Sequence, residues 1–306
     1  MSDLRVGRRF GPYRIEAVLG KGGVSVVYAA LNSDDERIAL KLLTPFAEGR
    51  AEIRAAIEKE FRVMQRFDHP GIVRARRGGT IADLHYIEMD LVAGGTVADR
   101  LGPEVALGVA QTVAVGIATA EALQHVHSHR VVHRDVKPSN ILLTGDLDEG
   151  GVPILFDFGL ALDLDDPDMV PGRVYGSPLF ISPEQALSGP PVDARADLYS
   201  LGVTLYRLAT GKAPFYGERL DLLHFHADSE PPKPSSIRPV GDGLEAVLEK
   251  AMAKHPDNRW QSGAEFAAAL RAIPSDELEA LATLTPERGF LRRRHLPRGG
   301  DGGVGG

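Results

Sequence analysis

The segment that most constrains this chain is a short polar run that lies between apolar stretches. It reads His133-Arg134-Asp135-Val136-Lys137-Pro138-Ser139-Asn140, and an Asp-Phe-Gly triplet follows at 157–159 after a further apolar segment. The carboxylate of Asp135 can accept a proton from an attacking hydroxyl, and Lys137 can steady a phosphoryl group during its transfer. Asn140 and the triplet carboxylate can hold Mg²⁺, whose charge offsets that of phosphate oxygens. A polar loop and a chance triplet would explain either motif alone, but hardly both in this order.

These motifs together resemble the catalytic loop and metal-binding motif of the eukaryotic-like, or Hanks-type, protein kinase family. A Lys two residues after the Asp is typical of its serine/threonine-specific members, and Ser182-Pro183-Glu184-Gln185 is similar to the bacterial ones. The resemblance implies an α+β, two-lobed protein kinase fold, with a small antiparallel-sheet lobe that holds one main helix and a larger, mainly helical lobe. It assigns 10–92 to the small lobe and 93–272 to the large lobe, and it leaves 273–306 as a flexible tail or linker.

A glycine-rich turn joins two predicted strands near the start of the chain, Tyr13–Leu19 and Val24–Leu31. Glycine lets backbone amides approach phosphate oxygens without interference from a Cβ atom. The turn lacks the following helix of a Rossmann motif and the Lys-Ser/Thr pair of a Walker loop. The order of strand, turn and strand resembles the kinase loop that covers ATP, although Ser25 replaces its third glycine, and an ordinary hairpin is the alternative. The nucleotide contacts implied here are Gly20, Lys21, Gly22, Gly23 and Val27.

The third predicted strand, Arg37–Leu43, contains Ala39-Leu40-Lys41, which is similar to the family's Ala-x-Lys. The resemblance implies that Lys41 binds the α- and β-phosphates of ATP. Helical spacing then runs over Glu52–Phe67. Glu60 in that helix is the implied ion-pair partner of Lys41, and a solvated Glu on a charged helix is the alternative.

An apolar run, Leu84–Val92, predicts a strand that leads into Ala93-Gly94-Gly95. By resemblance this is the hinge between the lobes, where backbone groups meet the adenine ring. Met89 would be the gatekeeper behind the nucleotide, which is compatible with a plain core methionine. The nucleotide contacts implied in this region are Ala39, Met89, Asp90 and Val92.

A long helix is predicted from Pro103 to about Ser128, and histidines cluster near its end. Alternating histidines at a helix end do not converge on one ion, and no Cys or carboxylate motif joins them, so we do not interpret them as a metal site. The resemblance instead places His133 beneath Phe158, in a structural role.

The segment from Leu160 to Gly176, which resembles an activation loop, contains neither Ser nor Thr. In many relatives a phosphothreonine in this loop pairs with the Arg of His-Arg-Asp, here Arg134. We hypothesise that one of the aspartates supplies a weaker permanent partner, or that a bound protein activates the chain; a plainly solvated acidic loop is the alternative. The acidic and phenolic candidates are Asp163, Asp165, Asp166, Asp168 and Tyr175.

Three further similarities concern the large lobe. Gly176-Ser177 and Ser182-Pro183-Glu184 resemble the substrate-docking end of the loop, and Ser177 keeps the hydroxyl that usually belongs to Thr. Asp197-Leu198-Tyr199-Ser200-Leu201-Gly202 resembles the central buried helix of the family. Arg259 lies where a buried Arg partners Glu184.

Composition narrows the function classes. The formal net charge of −7 at pH 7 argues against a nucleic-acid-binding protein, which usually has a basic surplus. The chain has no cysteine, its first ten residues lack the apolar core of a signal peptide, and no apolar window is long enough to span a membrane. These features predict a cytoplasmic protein.

The resemblance implies a non-specific serine/threonine protein kinase that transfers the ATP γ-phosphate to Ser or Thr hydroxyls of proteins, itself included. In this interpretation Asp135 and Lys137 are catalytic and Asn140 and Asp157 hold Mg²⁺, with Mn²⁺ as the alternative ion. The implied partners are ATP and protein substrates, with an activating protein or a homodimer in addition. A non-catalytic kinase-like scaffold would normally lack the Lys or a metal-binding Asp. A small-molecule phosphotransferase of related fold would lack Lys137 and the docking segment.

Overall fold

The structure, a computed structural model, describes residues 6–102, 105–166, 176–187 and 191–282. The first part is a six-stranded antiparallel sheet with the strand order β1-β2-β3-β4-β6-β5. Two helices follow β4 in the chain, α1 (Pro45–Glu48) and α2 (Ala51–Met64). The strands are β1 (Arg9–Phe10), β2 (Tyr13–Lys21), β3 (Ser25–Leu31), β4 (Arg37–Leu43), β5 (Ala75–Ile81) and β6 (Leu84–Asp90).

Strand β4 has the bounds that the sequence predicts. It lies between β3 and β6, so the aliphatic residues on either side of Lys41 are buried on both faces of the sheet. Helix α2 packs its apolar stripe, with Ile57 and Met64, against the sheet. The same buried face carries Glu60, and a buried carboxylate needs a charged or hydrogen-bonding partner.

The second part of the chain is mainly helical. Its helices are α3 (Val109–Ser128), α4 (Pro183–Leu187), α5 (Ala194–Thr210), α6 (Arg219–Asp228), α7 (Asp242–Ala251), α8 (Gly263–Arg271) and α9 (Ser275–Ala282). Helices α3 and α5 form the centre of the core, and α5 is buried along almost its whole length. Of the helices in the described ranges, none has the length and apolar character that crossing a membrane requires. The α+β arrangement expected from the sequence is thus confirmed.

Helix α3 begins later than the sequence predicts. Pro103 lies outside the described residues, and the helix starts at Val109 with Gly108 as its N-cap. Just before it, the Leu107 amide donates to the Leu208 carbonyl of α5 at 2.8 Å. This tertiary hydrogen bond fixes Leu107 outside the helix, which begins only after Gly108.

Four short strands connect the sheet to the helical part. Strands β8 (Ile141–Leu143) and β9 (Pro153–Leu155) form the predicted hairpin, while β7 (Val131–Val132) pairs with β10 (Leu162–Asp163). Leu155 also forms a parallel bridge to Ile72, just before the fifth strand of the sheet. The residues that flank this hairpin, which include Asn140 and Asp157, are therefore held between the sheet and the helices.

Helix α9 corrects the predicted tail. The sequence leaves everything after residue 272 as a flexible tail or linker, yet Ser275–Ala282 is helical. Glu277 in this helix accepts a hydrogen bond from the Gly243 amide at 2.9 Å, and Leu278 packs against the core. The packed part of the chain therefore extends beyond the predicted boundary, because α9 covers the start of α7. Residues 283–306 lie outside the described part of the chain.

The predicted pairing of Glu184 with Arg259 is confirmed. The guanidinium donates to both carboxylate oxygens, at 2.8 and 2.9 Å, and both side chains are almost fully buried. Arg259 also donates to the carbonyls of Ala253, Lys254 and Arg195. The pair joins α4 to the segment before α8, which fixes the chain just after the docking segment.

A buried histidine in α6 predicts a loss of stability in acid. The ring of His226 is fully buried, and burial together with the nearby Lys254 ammonium lowers its pKa to about 4. The unfolded chain takes up this proton near pH 6.5, so stability that is present above that pH is lost as the pH falls toward 4. The loss from this residue between pH 7 and pH 5 should be about 2 kcal/mol. In urea unfolding at both pH values, His226→Gln should lose correspondingly less stability than the unmodified protein. An equal loss in both proteins would contradict the assignment.

Candidate functional site

The centre of the site is the carboxylate of Asp135, which is only 7 % exposed. Its Oδ1 atom accepts from the Ser177 amide at 2.9 Å. Its Oδ2 atom accepts from Lys137 Nζ at 2.6 Å and from Asn140 Nδ2 at 3.0 Å. The structure therefore brings three predicted site residues together, and the Lys137 charge compensates that of the buried carboxylate.

Ser177 completes this cluster. Besides the amide contact to Asp135, its hydroxyl accepts from Lys137 Nζ at 2.7 Å. The sequence indicated Ser177 only as the hydroxyl of the docking segment, and it was not among the predicted site residues. The structure shows that it links the docking segment to both Asp135 and Lys137. A hydroxyl residue directly after Gly176 is the only sequence signal for this contact.

Asp197, at the start of α5, holds the backbone that carries Asp135. It is fully buried, and its two oxygens accept from the amides of His133 at 2.8 Å and Arg134 at 2.7 Å. Its Oδ2 atom also lies 2.8 Å from His127 Nε2. Arg134 has a positive φ of 64°, a strained conformation that these hydrogen bonds help to hold. The sequence indicated Asp197 only as part of a buried helix, although a carboxylate in such a helix needs partners of this kind.

The second cluster joins the sheet, α2 and the Asp-Phe-Gly triplet. Lys41 Nζ donates to Glu60 Oε1 at 2.7 Å and Oε2 at 2.8 Å, and to Asp157 Oδ1 at 3.1 Å. The predicted contact between Lys41 and Glu60 is therefore present. Burial alone would lower the pKa of Lys41, but the two carboxylates outweigh it and raise that pKa above its ordinary value.

Asp157 is the more open member of this cluster, with 40 % of its side chain exposed. Burial would raise its pKa, but the Lys41 ammonium outweighs that effect and holds the pKa below its usual range. The carboxylate is therefore ionised at neutral pH. Asp157 also has a φ of 64°, which is unusual for a residue other than glycine and is common at functional sites.

The donor set fits a divalent cation that is shared with a phosphate-bearing ligand. Asn140 uses its Nδ2 atom to donate to the carbonyl and the carboxylate of Asp135, which leaves Oδ1 as the ligand atom of that amide. With the partly exposed carboxylate of Asp157, the chain offers oxygen ligands of the kind that Mg²⁺ prefers, and phosphate oxygens and water would supply the others. Among the residues that the structure describes, no group of three or more His, Cys, Asp or Glu forms a complete metal cage.

The glycine-rich turn lies in register with Lys41 across two strand pairs of the sheet. Gly20 pairs with Val27 across β2 and β3, and Val27 pairs with Lys41 across β3 and β4. The turn is tight, because the Gly22 amide donates to the Ser25 carbonyl at 2.8 Å. A Cβ atom added at Gly20 would meet no heavy atom within 4 Å, and the same holds for Gly23. The backbone there borders open space, as a turn that accommodates a ligand requires. Lys21 ends β2 opposite Val26.

The predicted hinge lies at the other side of the sheet. Met89 and Ala39 face each other across β6 and β4, and both are buried. After Val92, the Gly94 amide donates to the Leu143 carbonyl at 2.9 Å, and a Cβ atom at Gly94 would overlap that oxygen. This close approach anchors the hinge residues to β8, the strand that directly follows Asn140.

Asp90 already has partners for two of its groups. Its amide donates to the Arg74 carbonyl at 3.0 Å, and its carboxylate accepts from Arg76 Nε. A contact to a ligand is therefore expected through its backbone carbonyl and not through its side chain.

His133 packs against Phe158 as predicted. The ring centroids are 4.8 Å apart in an edge-on arrangement, and His133 is fully buried. Its Nε2 atom lies 3.0 Å from the Phe156 carbonyl, and Phe67 covers the other side of Phe158 at 5.0 Å. This stack fixes the triplet relative to the polar loop, which supports a structural role for His133.

The acidic segment after the triplet binds three cationic side chains, of which one lies in α2, one just beyond the end of α2 and one just beyond the end of α3. Asp163 pairs with Arg66, Asp165 with Arg130 and Asp166 with Lys59. Arg134, the partner that the sequence suggested, donates through Nε to the Leu160 carbonyl at 2.7 Å. Asp168 and Tyr175 lie outside the described residues.

Comparison with known proteins agrees with this geometry. Residues 13–269 match the family described as the protein kinase domain. The chain is 38 % identical over 276 residues to the serine/threonine-protein kinase PknJ of Mycobacterium tuberculosis, with 88 % of this chain and 46 % of PknJ covered. It is 32 % identical over 302 residues to PknE of Mycobacterium bovis, with 97 % of this chain and 51 % of PknE covered. The chain thus spans about half the length of these curated relatives.

Among solved structures, the chain is similar to the kinase domain of Mycobacterium tuberculosis PknI. The TM-score is 0.66 at 30 % identity, and the match covers 88 % of this chain and 98 % of the PknI domain. The two-lobed arrangement expected from the sequence is therefore confirmed.

Proposed function

The chain belongs to the protein kinase family, and on that premise we propose that it transfers the γ-phosphate of ATP to Ser and Thr hydroxyls of proteins. The observation that carries this proposal is the cluster in which Asp135 accepts from Lys137, Asn140 and Ser177. A proton acceptor, a cation and the docking segment meet there at hydrogen-bonding distance. That arrangement suits the transfer of a phosphoryl group to a hydroxyl that the docking segment presents.

Each side chain has a separate task in this proposal. Asp135 orients the acceptor hydroxyl and takes up its proton, and Lys137 offsets the charge on the transferring group. Lys41, fixed by Glu60, binds the α- and β-phosphates. Asn140 and Asp157 hold Mg²⁺, which when bound neutralises charge on the phosphate oxygens. The chain contributes position and electrostatics more than covalent chemistry.

The nucleotide lies, in this proposal, between the glycine-rich turn and the hinge. Backbone amides of Gly20–Gly23 border its phosphates, Val27 and Ala39 cover the adenine, and Met89 closes the back of the pocket. The hinge groups of Asp90 and Val92 bind the adenine edge. The lobes meet at residue 93 and the domain acts in the cytoplasm, where ATP is plentiful.

Two other functions fit the fold less well. A scaffold without activity has no need for the ion pairs that join Lys41 to both Glu60 and Asp157. A small-molecule phosphotransferase has no need for Ser177, which ties a protein-docking segment to Lys137 and Asp135.

Incubation of the protein with Mg·ATP and a generic basic protein tests the proposal, with excess EDTA as the metal-free control. Mass spectrometry should find phosphoserine or phosphothreonine that forms only with Mg²⁺ present. ATP binding without any phosphoprotein would favour the scaffold. ATP consumption that leaves the phosphate on added small alcohols would favour the small-molecule enzyme.

A further inference from the structure

The start of the acidic segment is fixed by its backbone to the strand that leads into the catalytic residues. Leu162 pairs with Val132 and Asp163 with Val131 in the antiparallel pair of β10 and β7. The Leu164 amide then donates to the Arg130 carbonyl at 3.0 Å. The segment therefore has a defined position before its side chains are considered.

Two of its carboxylates reach α2. Asp166 Oδ2 lies 2.6 Å from Lys59 Nζ, and Asp163 Oδ2 lies 2.8 Å from Arg66 Nη1. These four side chains are between about a fifth and a third exposed, so water screens the pairs only in part. Arg66 also donates through Nη2 to the His129 carbonyl, which joins the end of α2 to the end of α3.

The third pair is different in kind. Arg130 and Asp165 lie 2.6 Å apart, but more than half of each side chain is exposed. Exposed ion pairs of this type contribute little to the free energy of unfolding, typically about 1 kcal/mol or less. We therefore assign no positioning role to Asp165.

The two partly buried ion pairs hold α2 in the position at which Glu60 binds Lys41. Lys59 directly precedes Glu60 in the helix. Lys59 binds the carboxylate of Asp166, whereas Glu60 binds the ammonium group of Lys41. Arg66 lies just beyond the end of the helix, after the C-cap Gln65. A rotation or outward shift of α2 would break both pairs together with the Glu60–Lys41 contact.

We propose that Asp163 and Asp166 are positioning residues that keep α2 in the orientation at which Glu60 binds Lys41, without a phosphate in the segment. Residues 160–176 contain no Ser or Thr, so this segment cannot carry the phosphoserine or phosphothreonine that many kinases have there, and Tyr175 is the only side chain in it with a hydroxyl that could be phosphorylated. The carboxylates of Asp163 and Asp166 take the place of that phosphate and act on α2. The inference rests on the proposed kinase function, because its consequence for catalysis runs through Lys41.

Charge exchange at the pair of Lys59 and Asp166 tests the proposal. Lys59→Glu and Asp166→Lys should each lower kcat/KM for phosphoryl transfer about tenfold or more and raise KM for ATP. The double exchange should restore both values to within about threefold of the unmodified protein. Hydrogen exchange of the α2 amides, measured without nucleotide, should be faster in each single variant and return to normal in the double variant.

The matched control is Lys233→Glu, which reverses the charge in another Lys–carboxylate pair. Lys233 lies 3.3 Å from Glu249, and both side chains are largely exposed. The activity of the Lys233→Glu variant and the hydrogen-exchange rates of its α2 amides should stay unchanged. Treatment of the unmodified protein with a phosphatase should also leave its activity intact.

Three results would overturn the proposal. The first is a double exchange that fails to restore either readout, and the second is loss of activity after phosphatase treatment. The third is activity that appears only with an added partner protein or rises per chain with concentration, as a homodimer would cause. If the unmodified protein transfers no phosphate at all, the proposed function fails, and the exchange rates of α2 still decide whether the ion pairs position the helix.

Discussion

An Asp135→Asn variant is expected to lose phosphoryl-transfer activity while it still binds ATP. The amide that replaces the carboxylate cannot accept the proton of the acceptor hydroxyl, and it no longer compensates the charge of Lys137 at 2.6 Å. Removal of a positioned general base typically lowers kcat by about 10²–10⁴-fold. Single-turnover transfer to the basic protein should show that loss, while calorimetric titration with Mg·ATP should give a Kd within about threefold of the unmodified protein.

The control for this variant is Asp34→Asn, the same change in the exposed turn between β3 and β4. It should leave kcat and Kd unchanged. Because Asp135 also accepts from the Ser177 amide at 2.9 Å, loss of the fold is a competing explanation, and circular dichroism and urea unfolding must exclude it. A well-folded Asp135→Asn protein with unchanged kcat would show that another group takes the proton.

The chemistry of the site could be predicted from the sequence because its motifs are local. Asp135, Lys137 and Asn140 lie within six residues, so their side chains are close once Asp197 fixes the backbone of this loop. Strand β4 was predicted to the residue because a short, mostly aliphatic run suits a central strand. Both predictions draw mainly on short-range sequence.

Contacts between distant segments could not be predicted in the same way. Lys59 and Asp166 are separated by 107 positions, and nothing in either neighbourhood indicates the other. A charge pattern shows only that carboxylates are present, not which cation they reach, so it could not indicate that Asp163, Asp165 and Asp166 bind Arg66, Arg130 and Lys59. The late start of α3 has the same cause, since the Leu107–Leu208 hydrogen bond belongs to the assembled fold.

The conformations of Arg134 and Asp157 are a second feature that composition does not reveal. Both have a φ of 64°, and both are residues that seldom adopt it. Asp197 accepts a hydrogen bond from the Arg134 amide, and Lys41 donates one to the Asp157 carboxylate. Tertiary contacts therefore stabilise both conformations. The strain therefore lies directly before Asp135 and at the predicted metal ligand Asp157 itself, where side-chain direction matters most.

An Asp157→Asn variant should lose the metal-dependent part of nucleotide binding. The low pKa of Asp157 means that a full negative charge faces the site at neutral pH, and the amide removes that charge. Lys41 keeps its two hydrogen bonds to Glu60, so the sheet and α2 should stay in place. The ATP Kd of the unmodified protein should fall when Mg²⁺ is added, whereas that of the variant should hardly respond. The value of kcat/KM should fall by about 10³-fold, as for the loss of one strong electrostatic group.

The matched control is Asp165→Asn, which lies eight positions later and pairs with exposed Arg130. It should leave both the Mg²⁺ response and kcat/KM unchanged, because the Asp165 carboxylate is more than half exposed and binds Arg130, not Lys41. If Asp157→Asn kept the full Mg²⁺ response, the metal would have to bind elsewhere, and Asn140 would lose its proposed role as well. If instead the variant lost ATP binding even without Mg²⁺, Asp157 would act mainly through its 3.1 Å contact with Lys41. The two outcomes separate a metal ligand from a partner of the lysine, which activity alone cannot do.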